Sequence, residues 1–206
     1  MIAFLLVVLI CYVLGSMPSA YIAGKMTKNI DIREYGSGNV GATNVARVIG
    51  KVPGILVLVI DMLKGFVAVY FISRIYLNET WMVDSDITKS ASAVSVIAGH
   101  IWSVFLGFKG GKGVATSIGA FLALSTYPVL CSVILFITVF SMANLVSVGS
   151  IIAGFSLPVF FIIWKEPVSY IIAGIFSAIV IIVKHIPNIK RILEGKELGV
   201  RSCRKL

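Results

Sequence analysis

Long uncharged runs govern what this chain can become. Ile151–Trp164 and Tyr170–Val183 carry no charged side chain, and similar apolar stretches recur along most of its 206 residues. At 58% hydrophobic and 13% charged residues, the chain lies far below the roughly 25% charge of soluble domains. Too little polar surface is left to coat a water-facing globule, so the apolar excess must meet lipid. A bilayer core of about 30 Å is crossed by roughly 20 apolar residues in a helix. About seven candidate spans meet or approach that length, at 2–24, 53–77, 88–108, 114–127, 128–144, 149–164 and 168–184. The fourth, sixth and seventh are short, and only Thr126, Tyr127 and Pro128 part the fourth from the fifth, so six crossings is the alternative. A transmembrane β-barrel would alternate apolar and polar residues in segments of about ten. These runs do not alternate, and the expected architecture is an all-α membrane bundle forming one domain, 1–206.

Charge placement predicts its orientation. The start, Met1-Ile2-Ala3-Phe4, lacks the basic stretch of a secretory signal, while Lys25 and Lys28 follow the first run, which therefore reads as a retained helix entering from outside. Fourteen of the eighteen basic residues fall in three connections. They are Lys25, Lys28, Arg33, Arg47 and Lys51 after the first span, Lys109 and Lys112 after the third, and the tail set Lys184, Lys190, Arg191, Lys196, Arg201, Arg204 and Lys205. With seven spans these share one side. The other side receives Arg74, Glu79, Asp84, Asp86, Lys89, Lys165 and Glu166. The positive-inside rule then puts the amino terminus outside and the carboxyl terminus in the cytoplasm. The net charge of +9 thus marks topology and anionic headgroups rather than nucleic acid. Cys11, Cys131 and Cys203 offer neither metal-ligand spacing nor a clear disulfide pair.

Three polar motifs lie on the basic side. The first is Gly36-Ser37-Gly38-Asn39-Val40-Gly41-Ala42-Thr43-Asn44 with Arg47. Its glycines can turn backbone N–H groups toward an anion, Ser37, Asn39, Thr43 and Asn44 add neutral hydrogen-bonding groups, and Arg47 can clamp a phosphate. A flexible polar linker is the plainer reading. The second runs from Gly99-His100-Ile101-Trp102-Ser103 to Phe108-Lys109-Gly110-Gly111-Lys112-Gly113-Val114-Ala115-Thr116. It is not a nucleotide P-loop, because residue 106 is leucine and residue 113 is glycine. A glycine-lysine turn opening a helix can still hold phosphate through backbone N–H groups and helix dipole. In the third, His185 and Asn188 lie three apart and share a helical face if the helix resumes after Pro187; an uninvolved interfacial histidine is the alternative. Within the second span, Asp61 and Lys64 can pair on one face, either as a structural ion pair or as a functional one.

With these motifs in this order, the chain resembles the PlsY family of bacterial acyl-phosphate:glycerol-3-phosphate acyltransferases over nearly its whole length, including Ser147–Ile151 and the His185, Asn188, Arg191, Gly195, Glu197 pattern. The sequence departs from that pattern at Ser103, where proline is expected, and at Pro187. The resemblance implies a seven-helix enzyme of the bacterial cytoplasmic (inner) membrane, with its active site facing the cytoplasm. It would move a fatty acyl group from acyl phosphate to the 1-position of glycerol 3-phosphate, yielding lysophosphatidic acid and phosphate. By motif, Ser37, Arg47, Lys112, Ser150, His185 and Asn188 form the implied catalytic set. Gly38, Asn39, Gly41, Thr43, Asn44, Gly110, Gly111, Gly113 and Thr116 would bind substrate phosphate, and Glu197 would be structural. No metal or other cofactor is implied, and a cytosolic acyl-phosphate-forming enzyme of the PlsX type is an expected partner.

The residue chemistry agrees with this assignment. Acyl phosphate is a mixed anhydride with a good leaving group, so no acyl-enzyme is required. The protein must hold two phosphates near each other and align a hydroxyl with a carbonyl carbon. A transporter is the competing class, but no internal repeat is evident and the polar motifs gather at one interface rather than at the midplane. Acyltransferases with a histidine five residues before an aspartate are excluded: Phe105 and Lys190 occupy those positions. CDP-alcohol phosphotransferases need more aspartates than the inner connections hold, and a scaffold would need none of these motifs.

Overall fold

The computed structural model describes residues 2–75 and 84–199. Glu79 of the expected outer connection, and Arg201, Cys203, Arg204 and Lys205 of the tail, lie outside the described residues. Among the described residues the regular structure is helical throughout, in two compact units, 1–124 and 125–206.

The amino-terminal unit opens with α1, Ile2–Ser16, and α2, Ser19–Lys28. One continuous span was expected over 2–24, but the helix breaks at Met17 and Pro18, where proline has no N–H to continue the ladder. The carbonyls freed there are met by side chains: Ser103 Oγ donates to Ser16 O at 2.6 Å and Lys64 Nζ to Met17 O at 3.2 Å. Apolar surroundings make such replacement obligatory. The connection that follows contains a short helix not foreseen in the sequence, α3, Ala42–Val48. Next come α4, Lys51–Val67, a π-helical turn over Ala68–Ile72, and α5, Ser73–Ile75. Asp84 caps α6, Ser85–Ile101, by accepting from the N–H groups of Asp86 and Ile87. After a 3-10 turn at Val104–Leu106, the unit closes with α7, Val114–Leu124.

Within this unit α1 packs along α6, and α4 along both α7 and α3. Small residues set the distances. A Cβ on Gly65 would lie 2.2 Å from Thr116 O, and one on Gly119 only 1.8 Å from Met62 O. Helices in lipid associate by such close backbone approach, since burying apolar surface gains little there. The contact draws α4, which carries Asp61 and Lys64, against the start of α7.

The carboxyl-terminal unit comprises α8, Thr126–Ala143, α9, Val146–Ile163, α10, Val168–Lys184, and α11, Ile186–Leu193. Here α9 packs against both α8 and α10. Asn144, at φ 55°, ends α8 in the left-handed region, and Pro187 sits in the first turn of α11, where a missing N–H breaks no bond. Pro187 thus starts a helix rather than disturbing a motif.

Five helical segments among the described residues are long and apolar enough to cross a bilayer: Ile2–Lys28, Lys51–Ile72, Ser85–Leu106, Thr126–Ala143 and Val146–Ile163. The pair α10 and α11, bent by 49°, meets the same test when taken together. The expected fourth span is α7, whose 11 residues rise only about 16 Å.

Candidate active site

The 36–47 segment is shaped by one buried amide. Asn44, 1% exposed, accepts from Ser37 N–H at 2.8 Å and donates to Ile32 O at 3.1 Å and Tyr35 O at 3.0 Å. Gly36 and Gly38 take positive φ values of 61° and 70°, which glycine adopts without strain. Both amide protons of Asn44 are thus committed to the loop's own backbone. Ser37, Asn39, Gly41, Thr43 and Arg47 are half-buried around it, and Gly38 is exposed. Thr43, Asn44 and Arg47 ride on α3 rather than on a flexible linker.

Other basic groups of this segment also serve local structure. Arg33 forks onto Asp31, with Nη2 at 2.6 Å from Oδ2, and those guanidinium hydrogen bonds hold the Asp31 carboxyl down to about 2. Lys28 Nζ donates to Val48 O at 2.9 Å.

The second motif is anchored to the end of α6. Gly110 N–H donates to Ile101 O and Gly111 N–H to His100 O, each at 3.1 Å. Those two N–H groups, expected as phosphate donors, are occupied by carbonyls, so the donors of this stretch begin at Lys112. Gly113, at φ 84°, turns the chain into α7, whose first N–H groups have no acceptor within the helix. Lys112 is half-buried at that end. Thr116 contributes no exposed hydroxyl: its side chain is fully enclosed, and its Oγ1 has no hydrogen-bond partner among the described residues.

A polar cluster lies below this turn. Lys64 Nζ is 2.8 Å from Asp61 Oδ1 and 2.9 Å from His100 Nδ1, and Ser19 Oγ donates to Asp61 Oδ1 at 2.7 Å. The sequence showed the Asp61–Lys64 spacing, but nothing in it tied His100 or Ser19 to that pair.

In the carboxyl-terminal unit one carboxylate gathers three donors. Asn188 Nδ2 and Ser147 Oγ donate to Glu197 Oε1 at 2.6 and 3.1 Å, and Arg191 Nε to Oε2 at 2.8 Å. Burial pushes the Glu197 carboxyl up, but hydrogen bonds from Asn188, Arg191 and Ser147 outweigh it and hold the group below the usual range. His185 is 2% exposed, and its Nδ1 lies 2.8 Å from Ile181 O. A carbonyl only accepts, so Nδ1 is the donor in this bond. Ser150 Oγ donates to Val146 O at 2.8 Å, which leaves its oxygen lone pairs for other donors. Among the described residues no group of three or more His, Cys, Asp or Glu side chains is placed to hold a metal.

The family model described as glycerol-3-phosphate acyltransferase matches residues 5–195, a range that takes in every motif above except Glu197. The chain belongs to the glycerol-3-phosphate acyltransferase family. A relative of that name from Endomicrobium trichonymphae is 41% identical over 98% of each chain. Another, from Desulforamulus reducens, is 38% identical over 95% of this chain and 94% of its own. Among solved structures, PlsY, an integral membrane glycerol 3-phosphate acyltransferase crystallised in a glycerol 3-phosphate form, is 36% identical with a TM-score of 0.87, covering 95% of this chain and 94% of its own. Its lysophosphatidic acid form aligns with a TM-score of 0.84 at 35% identity. The acyltransferase is accordingly a multi-pass membrane protein.

Proposed function

We propose that this enzyme acylates the 1-hydroxyl of glycerol 3-phosphate with acyl phosphate as donor, releasing lysophosphatidic acid and inorganic phosphate. The observation that carries the reading is the coexistence, in a family member, of a glycine-lysine turn opening α7 with the Asn44-braced loop that precedes Arg47. Arg47, Lys112 and the first N–H groups of α7 bind phosphate, with Ser37, Asn39, Gly41 and Thr43 supplying loop donors, while Gly38, whose N–H donates to Tyr35 O at 3.0 Å, shapes the loop. Asn44, Gly110 and Gly111 act by shaping those loops. Gly113 sets the turn, and Thr116 contributes through its backbone N–H.

In the transfer step a new C–O bond forms between the glycerol oxygen and the acyl carbon as the C–O bond to phosphate breaks, and inorganic phosphate departs. The hydroxyl proton passes to the phosphate of glycerol 3-phosphate itself, whose second ionisation lies near neutral pH. Ser150 and Asn188 orient the hydroxyl, and Glu197 holds Asn188. A second reading makes His185 the base, since with Nδ1 donating to Ile181 O Nε2 is the ring's basic nitrogen. The pH–rate profile of His185→Gln separates them: substrate assistance keeps the profile's shape and most of the rate, whereas a histidine base loses turnover with substrate binding intact.

The chain acts as one catalytic domain, 1–206. It crosses the bacterial cytoplasmic (inner) membrane seven times, with α7 and the α10–α11 pair completing the count, the amino terminus outside and the basic connections cytoplasmic. A cytosolic enzyme that makes acyl phosphate supplies the donor. Arg47→Ala and Lys112→Ala test the site: inserted, folded protein should lose at least about 100-fold in kcat/KM, as removal of a preorganised charge-stabilising donor does. Unchanged activity in both would refute it.

A further inference from the structure

The buried cluster beneath the glycine turn holds more charge than the fold requires. Asp61 is 1%, Lys64 5% and His100 8% exposed, in helices that lie in lipid. Ionic groups so placed pay a desolvation penalty that well-packed apolar residues avoid, so stability alone does not account for them. With Lys64 as an ammonium, the distances assign donor and acceptor. The Lys64 ammonium faces three acceptors: Asp61 Oδ1 at 2.8 Å, His100 Nδ1 at 2.9 Å and Met17 O at 3.2 Å. Asp61 Oδ1 is 3.6 Å from His100 Nδ1, beyond hydrogen-bond range. The imidazole therefore accepts from Lys64 and carries its own proton on Nε2.

That Nε2 faces the phosphate turn. A Cβ on Gly111 would sit 2.2 Å from His100 Nε2 and 2.7 Å from Val40 O, while Gly111 N–H donates to His100 O at 3.1 Å. Residue 100 thus holds Gly111 through its carbonyl, and its ring lies close against the same glycine, leaving no room there for a side chain. Ser19, Val40, His100 and Gly111 line one small cavity, where α2, the first loop and the second motif meet. We propose that Ser19, Asp61, Lys64 and His100 form a positioning relay. It fixes His100 as an Nε2–H donor and thereby sets where the 110–113 turn presents the anion-binding start of α7. The relay rests on the reading of that turn as a phosphate site.

The test measures melting temperature, inhibition by inorganic phosphate, and KM and kcat in purified variants. Lys64→Met alone leaves Asp61 unpaired and should lower both the melting temperature and phosphate affinity. Asp61→Asn/Lys64→Met removes the charges together. It should melt near the wild type, yet its phosphate inhibition constant should stay about tenfold weaker, the loss expected for one charge-assisted hydrogen bond, with KM for a phosphate substrate rising in parallel. His100→Asn keeps an acceptor for Lys64 but has no donor at the ε position, and should show the same phosphate defect. His100→Gln supplies an ε amide and should stay within about threefold of wild type. Wild-type phosphate affinity in the double variant would overturn the relay and leave a simple ion pair, as would equal behaviour of His100→Asn and His100→Gln. Lys112→Ala, run alongside, separates the two claims. If it too leaves phosphate inhibition unchanged, the phosphate site is what fails; if it abolishes inhibition while the relay variants do not, only the relay fails.

Discussion

Single amides and carboxylates carry much of this site's shape, and their removal should separate activity from folding. Asn44→Asp keeps the side chain's outline but sets a carboxylate oxygen against Ile32 O and Tyr35 O, where Nδ2 now donates. Unsatisfied buried acceptors cost about 1–3 kcal/mol, so a thermal melt should shift down clearly and acyl transfer should fall further still; a wild-type melt with full activity would show that the loop does not depend on this brace. Glu197 gives a prediction in pH. Its carboxyl is held below the usual range chiefly by Asn188, Arg191 and Ser147 against the pull of burial. The stability it adds is therefore complete above the ordinary carboxylate value of 4.5 and disappears as pH falls through the lower folded value. Glu197→Gln should lower the melting temperature at pH 7, and its difference from wild type should shrink on acidification below about pH 4.5. A constant difference across that window would contradict the assignment. The residue types at 44 and 197 were legible in the sequence, but their partners were not. Hydrogen bonds between positions 6 to 50 residues apart leave no periodic trace.

At the level of helices, apolar run length made most elements visible, and what it missed follows from its physics. The break at Pro18 lies inside a continuous hydrophobic stretch, so hydropathy merges α1 with α2. The seven residues of α3 are too few and too polar for a periodic signal, and brief helices of that kind form through tertiary packing, here against α4. Helix contact through small residues is the third hidden feature. Because Gly119 meets Met62 O directly, Gly119→Val should force α4 and α7 apart and displace the turn at 110–113. Reduced yield of folded protein, with weakened phosphate inhibition in whatever folds, is the expected outcome. Normal folding and kinetics would show that this contact does not set the site.

For the whole molecule, composition dictated lipid as the solvent and charge placement predicts which side each connection faces. Residues 39, 112 and 190, changed singly to cysteine in a background lacking Cys11, Cys131 and Cys203, should react with a membrane-impermeant thiol reagent from the cytoplasmic side only. Labelling of any one from the outside would break the seven-crossing topology. The motifs spoke most clearly about chemistry, because a reaction with a good leaving group needs anion-binding loops rather than a nucleophile, and loops rich in glycine, lysine and arginine are what the chain contains. Donor identity is the point on which the whole account turns. Purified protein given glycerol 3-phosphate should form lysophosphatidic acid and inorganic phosphate in equal amounts from acyl phosphate, and no product from acyl-CoA or acyl-carrier protein. Product from either thioester at a comparable rate, or none from acyl phosphate, would contradict it.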